Sequence, residues 1–391
     1  MVQWLVILLS VLLPFILVPL ILPSLVLVAK RKNITDAPNY RKCQRRPVSV
    51  MGGMVVVSSI TTALALASLY IDLNSLFPAI CMIVLLMTVG LIDDSIGMDF
   101  KIKLVIQTLV AVLLCYVGRY RITSLWTVFG IEELSPVVSC IISILTGVVI
   151  MNAINFIDGI DGLASAFGIS VSVAMAVWCI HHDDLAFSVF SLIVAGAMFS
   201  FWIFNGFSEK YKMYMGDSGS LVLGLYVYLC VCTILSHRDD PQLHLSNGYE
   251  VSFVMVLIGY PIFDFVRVVI GRLVRKQSPV KADRTHLHHI LVDMGFSDLT
   301  AVLIIICLNL LMYPMWGWLI EMRLTHTKQL LIVILWGVIL LNGPYFLIDY
   351  CRKHRAAAFH KFQVKVRYNR RWFSRRHRSF ARFIDRIPTL I

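Results

Sequence analysis

Residues 136–180 read PVVSCIISILTGVVIMNAINFIDGIDGLASAFGISVSVAMAVWCI. Two apolar runs, 136–154 and 160–180, flank a short polar turn, and each approaches the about 20 mostly apolar residues that a helix needs to cross a bilayer. Reading outward for runs of this kind gives eleven, with approximate bounds 4–28, 50–70, 76–92, 103–118, 136–154, 160–180, 185–205, 218–236, 250–268, 299–318 and 329–350. The runs predict an all-α polytopic membrane protein with about eleven transmembrane helices. Trp126, Trp316 and Trp318 fall near run ends, where interface aromatics sit.

Composition agrees. Of 391 residues, 58% are hydrophobic and 15% charged, and the mean hydropathy is +0.80. A soluble domain carries roughly 25% charged residues, so most of this surface faces lipid. The net charge of +12 is a local property, because the segment from Cys351 to Ile391 holds 13 Lys and Arg against one acid, Asp385. The remainder balances at 22 basic and 22 acidic residues. A basic tail of this kind suits anionic membrane lipids and argues against a nucleic-acid partner. Nine cysteines lie scattered, mostly in apolar runs, without the spacing of a zinc site or disulfide framework, and read as small apolar fillers. The run from Trp4 to Val28 is too long for the apolar region of a signal peptide and lacks a small-residue cleavage site, so it is expected to stay as a span.

Lys and Arg set the expected orientation. With the N-terminus outside, the inner side receives seven from residues 30–46 (Lys30, Arg31, Lys32, Arg41, Lys42, Arg45, Arg46), two from Lys101 and Lys103, and two from Lys210 and Lys212. Six more lie from Arg267 to Arg284 and thirteen in the tail, thirty in all. The outer side receives Arg119, Arg121, Arg238, Arg323 and Lys328, five in all. The N-terminus is expected outside and the C-terminus cytosolic. No internal repeat of the transporter kind is visible.

This sidedness gathers the unusual polar residues at one face. Asp93 and Asp94 end the third run, Asn152, Asn155, Asp158 and Asp161 end the fifth, Asp217 starts the eighth, and His286, His288 and His289 occupy the last large loop. Carboxylates at membrane depth are costly and mark function. The adjacent carboxylates of Asp93 and Asp94 repel and want a cation, either Mg²⁺ or a lysine; Lys103 and Gln107 share a face of the next helix, where Lys103 could meet a phosphate. Asn152, Asn155 and Asp158 recur every three residues and share an arc of a helix. Asp161 joins them only if the helix breaks, which Gly159 and Gly162 allow. In Met215-Gly-Asp-Ser-Gly-Ser220 the small residues before a helix leave backbone N–H groups for an anion, and Asp217 can hold a metal; the segment is no Walker A loop. In Ala282-Asp-Arg-Thr-His-Leu-His-His289, three histidines beside Arg284 could ligate zinc or bind diphosphate, with diphosphate preferred. His181-His-Asp-Asp184 falls on the other side and reads as a solvated turn. Asp264, within the ninth run after Pro261, has Arg267 as a structural partner or else supports the site.

Taken together, these blocks resemble the polyprenyl-phosphate N-acetylhexosamine-1-phosphate transferase family, in order and spacing, from about Asp36 to His289. The resemblance implies that Asp217 and Asn155 are metal ligands, that Asp161 contacts uracil, that Asp158 supports the site, and that His286, His288, His289 and Arg284 hold the diphosphate or sugar; Asn152 is expected among the substrate-binding residues. The His-Leu-His-His form resembles the GlcNAc-type branch, and the Asp158-Gly-Ile-Asp-Gly162 form looks bacterial. One departure is Gln44, where a histidine often stands in the family's first cytosolic loop.

The implied reaction is transfer of N-acetylhexosamine-1-phosphate, GlcNAc-1-phosphate first among the choices, from a UDP-N-acetylhexosamine to undecaprenyl phosphate with release of UMP. This is the first membrane step of a cell-envelope polysaccharide, at a bacterial inner membrane. Mg²⁺, or Mn²⁺ in its place, is the implied cofactor, and a homodimer is a further expected assembly. Asp93, Asp94, Asp158 and Lys103 are the expected catalytic group. The expected organisation is a transmembrane catalytic domain over 1–350, with active-site loops 30–49, 93–103, 155–162, 206–217 and 269–298, and a basic cytosolic tail over 351–391. A phospho-MurNAc-pentapeptide translocase differs in substrate only. A transporter would need polar residues through the whole membrane depth, and an intramembrane metalloprotease would need a motif such as His-Glu-x-x-His, absent here.

Overall fold

The computed structural model describes residues 2–36, 48–236, 248–278 and 284–390, with side chains except those of 2–4, 369–379, 389 and 390. Arg41, Lys42, Gln44, Arg45, Arg46, Arg238, Lys281 and Asp283, all part of the sequence reading, lie outside the described residues.

Every apolar run forms helix. In order these are α1 (Val2–Lys32), α2 (Gly52–Ala67), α3 (Phe77–Ile96), α4 (Phe100–Tyr116), α5 (Pro136–Ile157), α6 (Leu163–His181), α7 (Leu185–Phe207) and α8 (Gly216–Leu235). There follow α9 (Glu250–Leu257), α10 (Gly259–Val274), α11 (Leu287–Asp293), α12 (Asp298–Leu310), α13 (Met312–Glu321), α14 (His326–Gly337), α15 (Gly343–His354), α16 (Ala356–Ile384) and α17 (Ile387–Leu390). Among the described residues, eight helical segments are long and apolar enough to cross a membrane, or nine if α9 and α10 form one broken span. The protein is a multi-pass, predominantly helical membrane protein.

The difference from eleven lies in α2 and α4, of 16 and 17 residues. At 1.5 Å per residue each covers about 25 Å, short of the about 30 Å hydrocarbon core. The run 50–70 continues past both ends of α2 into turns, so run length overstates that helix, while the run 103–118 at α4 is itself only 16 residues long. Two small sheets also interrupt an otherwise helical fold. β1 (Thr35–Asp36) pairs antiparallel with β2 (Val48–Ser49), and β3 (Ser124–Val128) with β4 (Ile131–Glu133). All four strands lie in connections between helices.

The chain falls into two compact units. The first comprises residues 1–120, 143–230 and 377–391. In it α7 packs on α1, α2 and α6, and α3 packs on α2 and α4. Every residue of α8 from Ser218 to Cys230 is buried, so this helix needs no polar face and has none. Two helix backbones come close to its N-terminus. A Cβ on Gly90 of α3 would collide with the backbone of Ser218, and one on Gly53 of α2 with that of Gly219. Small residues at such crossings let membrane helices close on one another. The connection before α8 is tied down as well, with Gly52 N–H donating to Tyr214 O at 3.0 Å and Gly53 N–H to Met215 O at 2.9 Å.

The second unit comprises residues 121–142 and 231–376. Its α9 and α10 meet at 73°. Pro261 explains the break, since its ring cannot coexist with the carbonyl four residues before it in a continuous helix. The Tyr260 N–H beside the break donates to Asn309 Oδ1 of α12 at 2.9 Å, which satisfies a backbone donor at membrane depth. A five-residue π-helical turn, Val338–Asn342, joins α14 to α15, and Asn342 Nδ2 donates to Phe263 O at 3.3 Å.

The close approach of α3 to α8 is testable. Gly90→Val should cost about 1–3 kcal/mol by overpacking and lower the thermal unfolding midpoint in detergent. Gly317→Ala in α13, where a Cβ meets nothing within 4 Å, should leave the midpoint unchanged or raise it.

Candidate active site

In the first unit the sequence-predicted carboxylates converge. Asp93 and Asp94 are neighbours on the last turn of α3, about 100° apart around its axis, and they do different things. Asp94 caps α8: Oδ1 accepts the Asp217 N–H at 2.8 Å and Oδ2 the Ser218 N–H at 3.1 Å. These are donors that a helix start leaves without partners, and the helix dipole favours an anion there. Asp93 Oδ1 accepts the Met98 N–H at 2.7 Å, and its Oδ2 pairs with Lys103 Nζ. Lys103 stands on the first turn of α4, which Asp99 caps through the Lys101 N–H at 2.7 Å, and it pairs with Asp217 Oδ2 too. One ammonium therefore joins Asp93 to Asp217.

The Asn/Asp arc of α5 ends at the same place. Asn152 Nδ2 donates to Gln107 Oε1 of α4 at 2.7 Å. Asn155 Nδ2 donates to Asp217 Oδ1 at 2.6 Å and Ser220 Oγ at 2.8 Å. The helix stops at Ile157 and α6 begins at Leu163, with Gly162 in the left-handed region at φ +86°. Asp161 is thereby turned toward Lys212 Nζ, its ion-pair partner. Asp158, just past the end of α5, is half-buried; loss of solvent, with the charges of Asp217, Asp94 and Asp161, holds it well above the usual carboxylate range.

The histidine group lies in the second unit. His286 caps nothing by side chain, but its Nδ1 donates to Asp264 Oδ2 at 2.7 Å. Asp264 Oδ1 also accepts from Arg267 Nη2 at 2.6 Å, so the Asp264–Arg267 pair read from the sequence is formed. His288 is fully buried, with Nδ1 3.3 Å from the Tyr260 hydroxyl. Burial, then the neighbouring His289 and His286, lowers it well below the ordinary histidine value. Burial, with the charges of Arg284 and His286, pushes His289 down to about 4. Both are neutral at physiological pH and act as hydrogen-bonding groups. Arg284 is exposed and pairs with Asp293 at 2.7 Å.

The first-unit cluster fits a hard divalent cation by the chemistry of its donors. Asp217 and Asp93 offer carboxylate oxygens and Asn155 an amide oxygen, with no sulfur or imidazole among them. Among the described residues no three His, Cys, Asp or Glu side chains converge to hold an ion by themselves. Mg²⁺ is typically held by one or two carboxylates together with water and substrate phosphates, and Asp217 with Asn155 are the residues that would hold it. Lys212 as the partner of Asp161 was not foreseen, because 51 residues separate the two; a lysine two residues before Tyr214 on the same expected side was the available signal.

The chain is similar to known proteins over most of its length. The family model described as glycosyl transferase family 4 matches residues 76–236. The decaprenyl-phosphate N-acetylglucosaminephosphotransferase of Mycolicibacterium smegmatis is 30% identical over 294 residues, covering 68% of this chain and 71% of that protein. The undecaprenyl-phosphate alpha-N-acetylglucosaminyl 1-phosphate transferase of Escherichia coli K12 is 28% identical over 282 residues, 71% of this chain and 74% of that protein. Its counterpart of the same description in Yersinia pestis is 28% identical over 357 residues, 87% and 90% of the two chains.

The environment of Asp158 carries a pH signature. Its raised pKa means that the folded state binds the proton more tightly than the unfolded state. Its contribution to stability must therefore fall as pH rises above the unfolded carboxylate value of about 3.9 and level off only above the folded value. Asp158→Asn cannot ionise, so its unfolding midpoint should gain on the wild type progressively between pH 5 and 8. An offset that stays constant with pH would refute this placement of Asp158.

Proposed function

The chain belongs to glycosyl transferase family 4, and from that premise we propose that it transfers N-acetylglucosamine-1-phosphate from UDP-GlcNAc to undecaprenyl phosphate, releasing UMP. The observation that carries the reading is Asp217, joined to Lys103 and Asn155 at the start of a buried helix. Relatives named as polyprenyl-phosphate GlcNAc-1-phosphate transferases support the reaction class.

In this reading a lipid phosphate oxygen attacks the sugar-bearing phosphorus, a new P–O bond forms, and the bond to the UMP oxygen breaks. The second pKa of a phosphate monoester is about 6, so at neutral pH the acceptor is already largely a dianion and needs little help from a base. The main task is to bring two anions together in line. Lys103 offers an ammonium for the acceptor phosphate while it holds Asp93 and Asp217 apart from each other's charge. Asp94 keeps Asp217 in register by fixing the backbone of α8. Asn155 orients the Asp217 carboxylate, and Asp161 with Lys212 receives the nucleotide base. For His286, His288 and His289 with Arg284, in the second unit, contact with diphosphate or sugar is what the resemblance implies. Mg²⁺ held by Asp217 and Asn155 would neutralise diphosphate charge when bound.

The sidedness read from Lys and Arg puts the reaction at the cytosolic face of a bacterial inner membrane, as the first membrane step of a cell-envelope polysaccharide. The basic tail completes the reading. It is helical over Ala356–Ile384, and Lys361, Lys365 and Arg367 are exposed together with Val364 and Tyr368. Cationic and apolar groups interleaved on one helix suit a surface of anionic lipid.

Membranes containing the purified protein should transfer label from UDP-[¹⁴C]GlcNAc to undecaprenyl phosphate. The label should vanish with EDTA and return with Mg²⁺, and Asp217→Asn should lower the rate at least about 100-fold. A folded wild type that labels no lipid from UDP-GlcNAc, and labels it from UDP-MurNAc-pentapeptide instead, would overturn the sugar assignment.

A further inference from the structure

The last turns of the chain belong to the first unit. There α17 packs on α1, and Ala381 and Ile384 of α16 are buried. Beside Ile384 stands Asp385, the only acidic residue from 351 to 391. Its Oδ1 accepts from Ser208 Oγ at 2.5 Å, and both of its oxygens accept the Lys210 N–H at 3.3 Å. Ser208 Oγ accepts in turn the Tyr211 N–H at 2.8 Å. Neither amide has a backbone acceptor among the described residues, so the turn after α7 depends on this carboxylate for its shape.

A carboxylate beside the last turn of a helix is disfavoured by the helix dipole, so Asp385 is not placed to stabilise α7. What it answers is a hydroxyl and an amide of the turn that follows, and hydrogen bonds to a carboxylate are the stronger kind. From that turn the chain runs pinned toward Asp217. Lys212 pairs with Asp161, the Met213 carbonyl accepts from Asn205 Nδ2 at 2.6 Å, and the Tyr214 N–H donates to Ser49 O at 2.8 Å. A second route runs through rings. Phe380 meets Phe207 edge-on with centroids 5.0 Å apart, and Phe207 meets Trp202 in the same way at 5.4 Å. The Trp202 indole lies against Gly162, 2.9 Å from where a Cβ would stand, and Gly162 follows Asp161. One segment therefore braces both partners of the Asp161–Lys212 pair, the lysine through a turn and the aspartate through three rings.

We propose that Asp385 is a positioning residue for the transfer reaction: it fixes the turn 208–211 so that Lys212 stays on Asp161, while Phe380 braces the opposite partner. The working part of the first unit thus extends to the end of the chain. This role rests on the reading of the first-unit cluster as the site that takes the sugar nucleotide. Asp385 itself touches no ligand, because both of its oxygens are taken by the turn.

The test uses the full chain in nanodiscs, with Asp385→Ala, Lys212→Met and the pair. Binding of UDP-GlcNAc in the presence of Mg²⁺ is read as Kd by titration calorimetry, beside the thermal midpoint. A protein that is merely less stable binds at lower stoichiometry and keeps its Kd, whereas a displaced contact weakens Kd itself. Asp385→Ala should weaken Kd about tenfold in the wild-type background and less than about twofold where Lys212 is already Met, since it acts through that lysine. A Kd that does not move, or that moves equally in both backgrounds, overturns the role.

Hydrogen exchange supplies a readout independent of any ligand. The Lys210 and Tyr211 amides should exchange roughly 10- to 100-fold faster in Asp385→Ala while those of α8 keep their wild-type rates, and unchanged exchange overturns the tie. A wild type in which Asp385 protects the turn in this way, yet which neither binds UDP-GlcNAc nor transfers its sugar phosphate, upholds the tie and retires the assigned reaction instead.

Discussion

A charge at the end of a membrane helix must find a partner or forgo ionising, and the first unit is arranged around that constraint. Asp94 is answered by two backbone N–H groups, Asp93 and Asp217 by one lysine, and Asp161 by another. Asp158 is the exception, and loss of solvent with the neighbouring carboxylates holds it above the usual carboxylate range. The second unit obeys the same rule with different groups: Asp264 is met by a guanidinium, an imidazole and an amide. Helix starts and charged side chains thus have to be placed together, because neither is tolerable alone in this setting.

The position of α8 shows how the constraint propagates. Its buried length gives it no preferred rotation by amphipathicity. What fixes it is contact at its N-terminus, where Gly53 and Gly90 let two helices approach the backbone and Asp94 takes the first N–H groups. Asp217 is on the first turn of this helix, so its placement is set by features of α2 and α3. Asn155 then aligns the carboxylate from a fourth element. With Lys103 of α4 on its other oxygen, precision at Asp217 is a property of five helices, and no single motif contains it.

This bears on how much could be read from residues alone. The apolar runs located every span, because a helix in lipid must satisfy its own backbone and long apolar stretches leave little else to form. Asn152 and Asn155 keep the arc read from their spacing, Asp158 falls just past the helix end, and Gly162 makes the turn that returns Asp161; the break before Pro261 was not read. The shortness of α2 was not legible, since apolar residues continue into the turns beyond it, whereas the run at α4 is short in the sequence itself. Nor was the strand pair at 124–133, where Trp126 and Thr127 take positive φ values of 49° and 62° and Thr127 meets His326, 199 residues away. Pairings were the least legible of all. Lys103 was recognised as a phosphate ligand in waiting, but its joint hold on Asp93 and Asp217 depends on a contact across 114 residues.

The same pairings decide what the first-unit cluster can accept. Four carboxylates (Asp93, Asp94, Asp161 and Asp217) face two lysines, Lys103 and Lys212, and Asp158 adds nothing while it is protonated. The set is left with two negative charges, and a nucleotide diphosphate brings more. In water such charges would be screened, but near a membrane helix end the attraction or repulsion between unit charges a few ångströms apart amounts to several kcal/mol. Lysines alone would leave the donor substrate repelled from the residues proposed to orient it. In the proposed reaction a divalent cation would balance the set, with Asp217 and Asn155 as the residues that would hold it and the diphosphate charge as what it would offset.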